Sequence, residues 1–314
     1  MGYLQRGTWV DHWYDTGSSD GQFIRRDSQF RSSIGQKGDY SPEAGRYHLY
    51  VSWACPWAHR TLIYRALKGL EDVIGVTVVD PLMLSEGWVI AQEADPVNHA
   101  QFLWQVYAKA DPDYIGRVTV PVLWDRQRKT IVNNESGEII RMFDEWPGAR
   151  GPLFRPPALA FEIDALNAQI YPAINNGVYR AGFATTQPAY EEAYGHLFAM
   201  LDRLESRLGE LSFLLGEQVT EADWRLFTTL LRFDTVYHGH FKCNRNRLAD
   251  FPELWDYTCT LFQIRGVAET VHFDHIKKHY YGSHRTINPT GIVPVGPRID
   301  FSAPTRRSVP RFGD

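Results

Sequence analysis

YHLYVSWACPWAHRTLIYRALKG, residues 47–69, decides the fold. With Arg46, its first half alternates like a β-strand. Cys55 and Pro56 follow at once. From Pro56 to Gly69 apolar positions recur near helical spacing, and Gly69 reads as the helix stop. VIGVTVV, residues 73–79, reads as a buried strand. The three segments make a strand–helix–strand unit, which favours parallel pairing.

Downstream, residues 80–118 form an insertion with a short helix around QFLWQVYAKA. VTVPVLWD, a turn at RQRK and TIVN make an antiparallel hairpin. ESGEIIRMFDEW follows as a helix with acidic residues in its first turn, where the helix dipole favours them. Residues 46–146 therefore read as one small mixed α/β domain. PGARGPLFRPP, 147–157, is a Pro/Gly linker, and 158–284 reads as all helical. In that segment Thr220 precedes the apolar run WRLFTTLLRF, and Asp223 stands where a capping box has Glu or Gln. Val219 and Trp224 occupy the positions of a hydrophobic staple. Upstream, residues 1–45 are rich in Gly, Ser, Asp and Arg and read as an irregular arm that covers the domain rather than builds it. Residues 285–314 are Pro-rich and read as an extended tail. There is no internal repeat.

The 314 residues suit two domains. Hydrophobic residues at 44% and charged residues at 22% are ordinary for a soluble globular protein. A net charge of -4 gives no support to nucleic-acid binding. No apolar run approaches a membrane span. The N-terminal stretch lacks the apolar centre of a signal peptide, and Arg6 breaks the myristoylation pattern. Three cysteines, Cys55, Cys243 and Cys259, argue against a secreted disulfide scaffold and for a reducing cytosol.

Pro56 fits the first helical position, where its missing N–H costs nothing. Cys55 is then the N-cap. Free N–H groups and the helix dipole stabilise a thiolate there, moving a thiol of reference pKa about 8.5 toward or below neutrality. Position 58 is Ala, so the second thiol of a redox dithiol is absent. Cys55 can attack a sulfur and hold a mixed disulfide that an outside thiol must release. The alternative is a small buried hydrophobe; the coincidence of strand end, Cys and Pro favours the reactive thiol. Pro121 can mark an edge strand or a cis turn. In a cis turn Val120 would offer its N–H and C=O to a peptide-like ligand. Glu135 and Ser136 open a helix, as plain capping or as a site for the carboxylate and ammonium of an amino-acid-like ligand.

These features together resemble the glutathione transferase family, which pairs a thioredoxin-like domain with an all-helical one. The Thr220–Asp223 box also sits where that family caps a helix of its second domain. SWACPWAHR, TVPVLWD, NNESGEIIRMF, NNGVYRAGFA, RFDTVYHGHFKCN and KKHYYGSH resemble its Xi class, the glutathionyl-hydroquinone reductases. The resemblance spans residues 52–284 and is specific as a set; singly, only SWACPWAHR and VYRAGFA are. It implies that the Cys55 thiolate attacks the sulfur of a glutathionyl-hydroquinone, hydroquinone leaves, and a second glutathione resolves the mixed disulfide to glutathione disulfide. Glutathione is then a co-substrate, and no metal is implied. Carried over by motif, Cys55 is the nucleophile, Glu135 and Ser136 hold the γ-glutamyl end, Val120 the cysteinyl backbone, and Arg117 and Trp88 border the glycyl end. Tyr179, then Tyr237 and Tyr280, match the hydroxyls that deliver a proton; of the adjacent pair, Tyr280 rather than Tyr281 is the match. A homodimer is also implied.

Two competing functions are a general glutathione thiol transferase or dehydroascorbate-type reductase, and a non-catalytic glutathione-fold binding protein. The cysteine speaks against conjugation, since it would form a disulfide with glutathione; the Cys-Pro junction and the tyrosine motifs speak against a mere binder. HGHFKC, 238–243, brings two histidines and a cysteine close, one ligand short of a metal site. His272, His275 and His279 read as a polar helix face, and Cys259 as buried in an apolar helix.

Overall fold

A computed structural model of the protein describes residues 2–35 and 38–312. The chain forms two compact units, each drawn from three separate stretches. The first takes its residues from Met1–Trp13, Asp27–Gly151 and Thr270–His284. The second takes them from Tyr14–Arg26, Pro152–Glu269 and Arg285–Asp314.

In the first unit, β1 (Tyr3–Gln5) and β2 (Thr8–Val10) form a hairpin. β3 (Tyr47–Val51), α1 (Pro56–Leu67) and β4 (Gly75–Val78) make the strand–helix–strand unit. The insertion holds a short ribbon of β5 (Met83–Leu84) and β6 (Gly87–Trp88), then α2 (Leu103–Ala110) and β7 (Ile115–Arg117). β8 (Val122–Asp125), β9 (Thr130–Asn133) and α3 (Ser136–Asp144) complete the series. The central sheet has the order β4-β3-β8-β9. β3 and β4 run parallel, with Val51 opposite Val78, while β8 is antiparallel to β3 and β9 to β8. α1 and α3 pack against each other.

Every residue of β3 is buried, although its sequence alternates. The polar side chains are tolerated because each has a partner. His48 Nε2 lies 2.8 Å from Thr77 Oγ1. The Tyr50 hydroxyl donates to Asp95 at 2.9 Å. The Tyr47 hydroxyl donates to the Ser41 carbonyl at 2.5 Å.

The second unit is helical: α4 (Ala160–Ile170), α5 (Gly177–Gly182), α6 (Gln187–Leu208), α7 (Glu221–Leu230), the single turn α8 (His238–His240) and α9 (Pro252–Phe262). Two π-turns interrupt it, Tyr171–Asn175 before α5 and Phe233–Tyr237 before α8. The chain then returns to the first unit for α10 (Phe273–Ser283).

Three parts of the sequence reading need revision. First, residues 1–45 help build the first unit. β1 pairs with both β2 and β7 in a three-stranded sheet. Arg6 and Gly7, at φ of 49° and 75°, make the tight hairpin turn. Three-residue strands are too short to show a period, so only the turn could have announced them. Tyr14–Arg26, by contrast, belongs to the second unit. There Gly21, at φ +84°, approaches so closely that a Cβ would meet Thr186 Oγ1 at 2.5 Å.

Second, α10 groups with the first unit, not with the helical segment 158–284. The Met83 N–H donates to Ser283 Oγ at 2.9 Å, and His279 Nδ1 lies 2.9 Å from the Pro81 carbonyl. Such contacts span about 200 residues and leave no trace in local spacing. Third, the polar helix face read for His272, His275 and His279 is set against tryptophan rings, with His272 standing as N-cap of α10 and His275 also meeting Trp53. His272 stacks on Trp53 at 3.7 Å between ring centroids, and His279 on Trp88 at 4.9 Å.

The tail from Arg285 carries no helix or strand among its described residues. It is nonetheless fixed to the second unit. Phe301 packs on Trp255 and Phe262. Arg307 donates to the carboxylates of Glu253 and Asp256 and to the carbonyls of Leu208 and Ser212.

Candidate active site

β3 delivers the chain to Ser52, whose carbonyl accepts the Cys55 N–H at 3.1 Å. Cys55 stands as N-cap of α1 at φ -77°, ψ 122°, with Pro56 as the first helical residue. Its carbonyl accepts the His59 N–H at 3.0 Å, which begins the helical ladder. Its side chain does not close back onto the first turn. The thiol is half-buried, with Sγ 3.6 Å from the Val120 carbonyl. The Val120–Pro121 peptide is cis, the second of the two geometries open to Pro121. Among the described residues the Val120 N–H has no hydrogen-bond partner. A thiol thus sits beside a backbone donor at the positive end of a helix.

The other two cysteines differ. Cys243 is fully buried and Cys259 nearly so. Burial pushes the Cys259 thiol up to about 12 and the Cys243 thiol higher still. Both are protonated thiols at neutral pH.

Glu135 and Ser136 lie at the start of α3 in the same unit. The Glu135 side chain accepts the Gly137 N–H at 3.0 Å, so it does cap the helix. Its other oxygen lies 3.4 Å from Ser28 Oγ. Ser136 Oγ accepts from the Arg60 guanidinium at 3.4 Å. Trp88, buried in β6, lies beneath His279. Arg117 donates to the carbonyls of His12 at 2.5 Å and Trp13 at 2.9 Å, and its guanidinium lies 5.6 Å from the Tyr3 ring.

The tyrosines are divided. Tyr280, on α10 of the first unit, is 1% exposed and meets His279 and His284 edge-on. Its neighbour Tyr281 is less buried. Tyr179 and Tyr237 belong to the second unit and face each other at 6.0 Å between ring centroids. Phe183 and Phe241 complete this aromatic cluster. Tyr237 closes the second π-turn, and Tyr179 comes four residues after the first ends. Extra residues of this kind re-aim side chains and recur at functional sites.

Two features were not read from the sequence. Trp53, two residues before Cys55, is clasped by His272 and His275. Arg25 places its guanidinium 5.0 Å from the Tyr179 ring. Neither has a local signal, because each joins residues more than 150 positions apart. Among the described residues, no group of three His, Cys, Asp or Glu side chains is arranged to hold a metal ion, and no helix is long and apolar enough to cross a membrane.

Residues 54–146 match the glutathione S-transferase N-terminal domain and residues 187–258 the C-terminal domain. The chain is 52% identical to glutathionyl-hydroquinone reductase YqjG of Escherichia coli, with all of both chains covered. It is also 52% identical to glutathionyl-hydroquinone reductase PcpF of Sphingobium chlorophenolicum, covering 95% of this chain and 96% of that one. The glutathione-bound structure of E. coli YqjG superposes with a TM-score of 0.89 at 48% identity, covering 98% of this chain and 99% of that one. A Xi-class glutathione transferase from Natrialba magadii gives 0.90 at 46% identity, over 98% and 96%. The thioredoxin-like unit with its N-cap cysteine, the helical unit and these likenesses agree, and the chain belongs to the glutathione transferase family, in its Xi class.

Proposed function

We propose that this chain reduces glutathionyl-hydroquinones to free hydroquinones, with glutathione as reductant. The observation that carries the reading is the Cys55 thiol, half-buried at the start of α1 beside Val120, in a chain 52% identical to two reductases of that name.

The Cys55 thiolate attacks the glutathione sulfur of the substrate, and an S–S bond forms as the carbon–sulfur bond breaks. The bonding pair leaves with the aromatic carbon, which must take a proton. Tyrosine hydroxyls are suited to deliver it, and Tyr179, Tyr237 and Tyr280 are assigned that role. A second glutathione thiolate then attacks the mixed disulfide, releases glutathione disulfide and restores Cys55. Its proton replaces the one the tyrosine gave up. The cysteine is oxidised and reduced once per cycle, and the cycle needs no metal.

In this reading Val120 pairs through its backbone with the cysteinyl part of glutathione, an assignment supported by its unused N–H. Glu135 and Ser136 hold the γ-glutamyl end at the start of α3, where the positive end of the helix dipole favours a carboxylate. Arg117 and Trp88 border the glycyl end. The protein acts as a homodimer in a reducing cytosol.

The deciding experiment is mass spectrometry after exposure to glutathionyl-menadiol without free glutathione. One glutathione on Cys55 and released menadiol are expected. Unmodified protein with intact substrate would remove the reductase reading and leave thiol transfer or a binding role.

A further inference from the structure

We propose that Arg25 is a positioning residue for Tyr179, holding its ring and favouring the phenolate left behind when the hydroxyl gives up its proton. This rests on the reading of Tyr179 as a proton donor.

Arg25 lies at the end of the N-terminal strap Tyr14–Arg26, far from any recognisable motif. The strap is tied to the second unit at several points. The Thr185 N–H donates to the Gly21 carbonyl at 3.0 Å, and Thr186 Oγ1 donates to the Asp20 carbonyl at 2.8 Å. Tyr14 stacks on Phe183, and Phe23 meets it edge-on. Arg25 is therefore presented by a fixed backbone. Its Nε donates to Asn176 Oδ1 at 2.9 Å, which orients the plane of the guanidinium. Asn176 is the residue that follows the first π-turn. The guanidinium carbon then lies 5.0 Å from the Tyr179 ring centroid and 5.3 Å from that of Phe23.

A cation within about 6 Å of an aromatic ring is attracted to it. The attraction grows when the ring carries a full negative charge, since it then acts between opposite charges. Arg25 thus stabilises the deprotonated ring more than the neutral one. Several neighbouring polar groups have partners of their own. Tyr237 faces Tyr179 as an aromatic neighbour, and His240 stacks on Phe241. On α5 itself, Arg180 is paired with Glu192 at 2.7 Å. On the second π-turn, Asp234 accepts the N–H groups of Leu248 and Ala249. Arg25 brings its cation over the face of the ring.

The test is direct titration of the Tyr179 phenol by NMR, with carbon-13 at the tyrosine ζ position. A Tyr179→Phe spectrum identifies the signal among the sixteen tyrosines. In Arg25→Gln the phenol should titrate about one unit higher than in the unaltered protein. Arg25→Lys, which keeps the charge, should recover part of that shift. Turnover of glutathionyl-menadiol by Arg25→Gln should fall about tenfold in kcat, with KM for glutathione unchanged. An unmoved Tyr179 titration in folded Arg25→Gln would overturn the proposal. So would an Arg25→Lys protein no different from Arg25→Gln, because charge would then not be the link. Tyr179→Phe turning over at the full rate would instead remove Tyr179 as donor, and the titration would still report separately whether Arg25 governs the phenol.

Discussion

Two helix starts in this molecule are built on one plan and finished differently. α1 begins at Cys55 and α7 at Thr220, each an N-cap in extended conformation. At α7 the third helical residue is Asp223. Its Oδ2 accepts both the Thr220 N–H at 2.7 Å and the Thr220 hydroxyl at 2.8 Å. Its Oδ1 accepts the Leu214 N–H and the Tyr257 hydroxyl, each at 2.9 Å. At α1 the third helical residue is Ala58, which has nothing to reach back with. The same position would carry the second thiol of a dithiol motif. One alanine therefore removes both the carboxylate that would close the cap and the cysteine that would resolve a disulfide internally. The start of α7 is closed by its own carboxylate, and the start of α1 is left without a side-chain cap.

The largest expected effect lies at the open start. Cys55→Ser should lower kcat/KM with glutathionyl-menadiol by roughly three orders of magnitude or more. Its thermal midpoint should stay close to that of the parent, since the side chain closes no cap. A variant retaining a tenth of the activity would dissolve the contrast. Asp223→Ala should do the opposite. Leaving four buried donors without an acceptor should cost about 3 kcal/mol in urea unfolding, with the specific activity of folded protein kept.

Ala58→Cys sharpens the comparison at the chemical level. The introduced thiol should displace glutathione from glutathionylated Cys55. Mass spectrometry should then find an internal disulfide between Cys55 and the new side chain in place of the adduct. Persistence of the adduct would show that the third position cannot reach the sulfur. Thr220→Ala should cost less stability than Asp223→Ala, about 1 kcal/mol, because Asp223 keeps the Thr220 N–H.

A pH scan separates these local effects from the rest of the first unit. Burial first, then the charges of Arg126 and Arg65, pushes the His48 imidazole down to about 4. Below the ordinary value near 6.5 the unfolded chain takes up a proton that the folded chain refuses. Stability should therefore fall as pH drops from about 6.5 to about 4, by at most about 3 kcal/mol from this group. His48→Gln should flatten that limb in a thermal-shift series; an unchanged limb would assign it elsewhere.

Much of this was legible because it is local. The Cys-Pro junction, the hairpin through Asp125 and Thr130 and the Thr220–Asp223 box each lie within a few residues, so spacing carried them. The cis geometry at Pro121 was one of two local choices. What escaped was long-range. β1 pairs with β7 across more than 100 residues, and α10 joins the first unit through contacts spanning about 200. The histidines of α10 looked polar because their partners, Trp53 and Trp88, are distant in the chain. Glu135 read both as cap and as ligand holder, and its bond to Gly137 makes it a cap.

The interleaved make-up of the two units bears on how the protein is made. A ribosome releases Tyr47–Asp144, all four strands of the central sheet and both helices packed with it, long before α10 emerges. Domains generally form as units during synthesis, but this one lacks its last helix until His284 has been added. The nascent thiol at Cys55 therefore spends most of translation without the Trp53–His272 stack. A fragment cut at the family boundary, residues 54–146, would begin after β3 and lack β1, β2 and α10 as well.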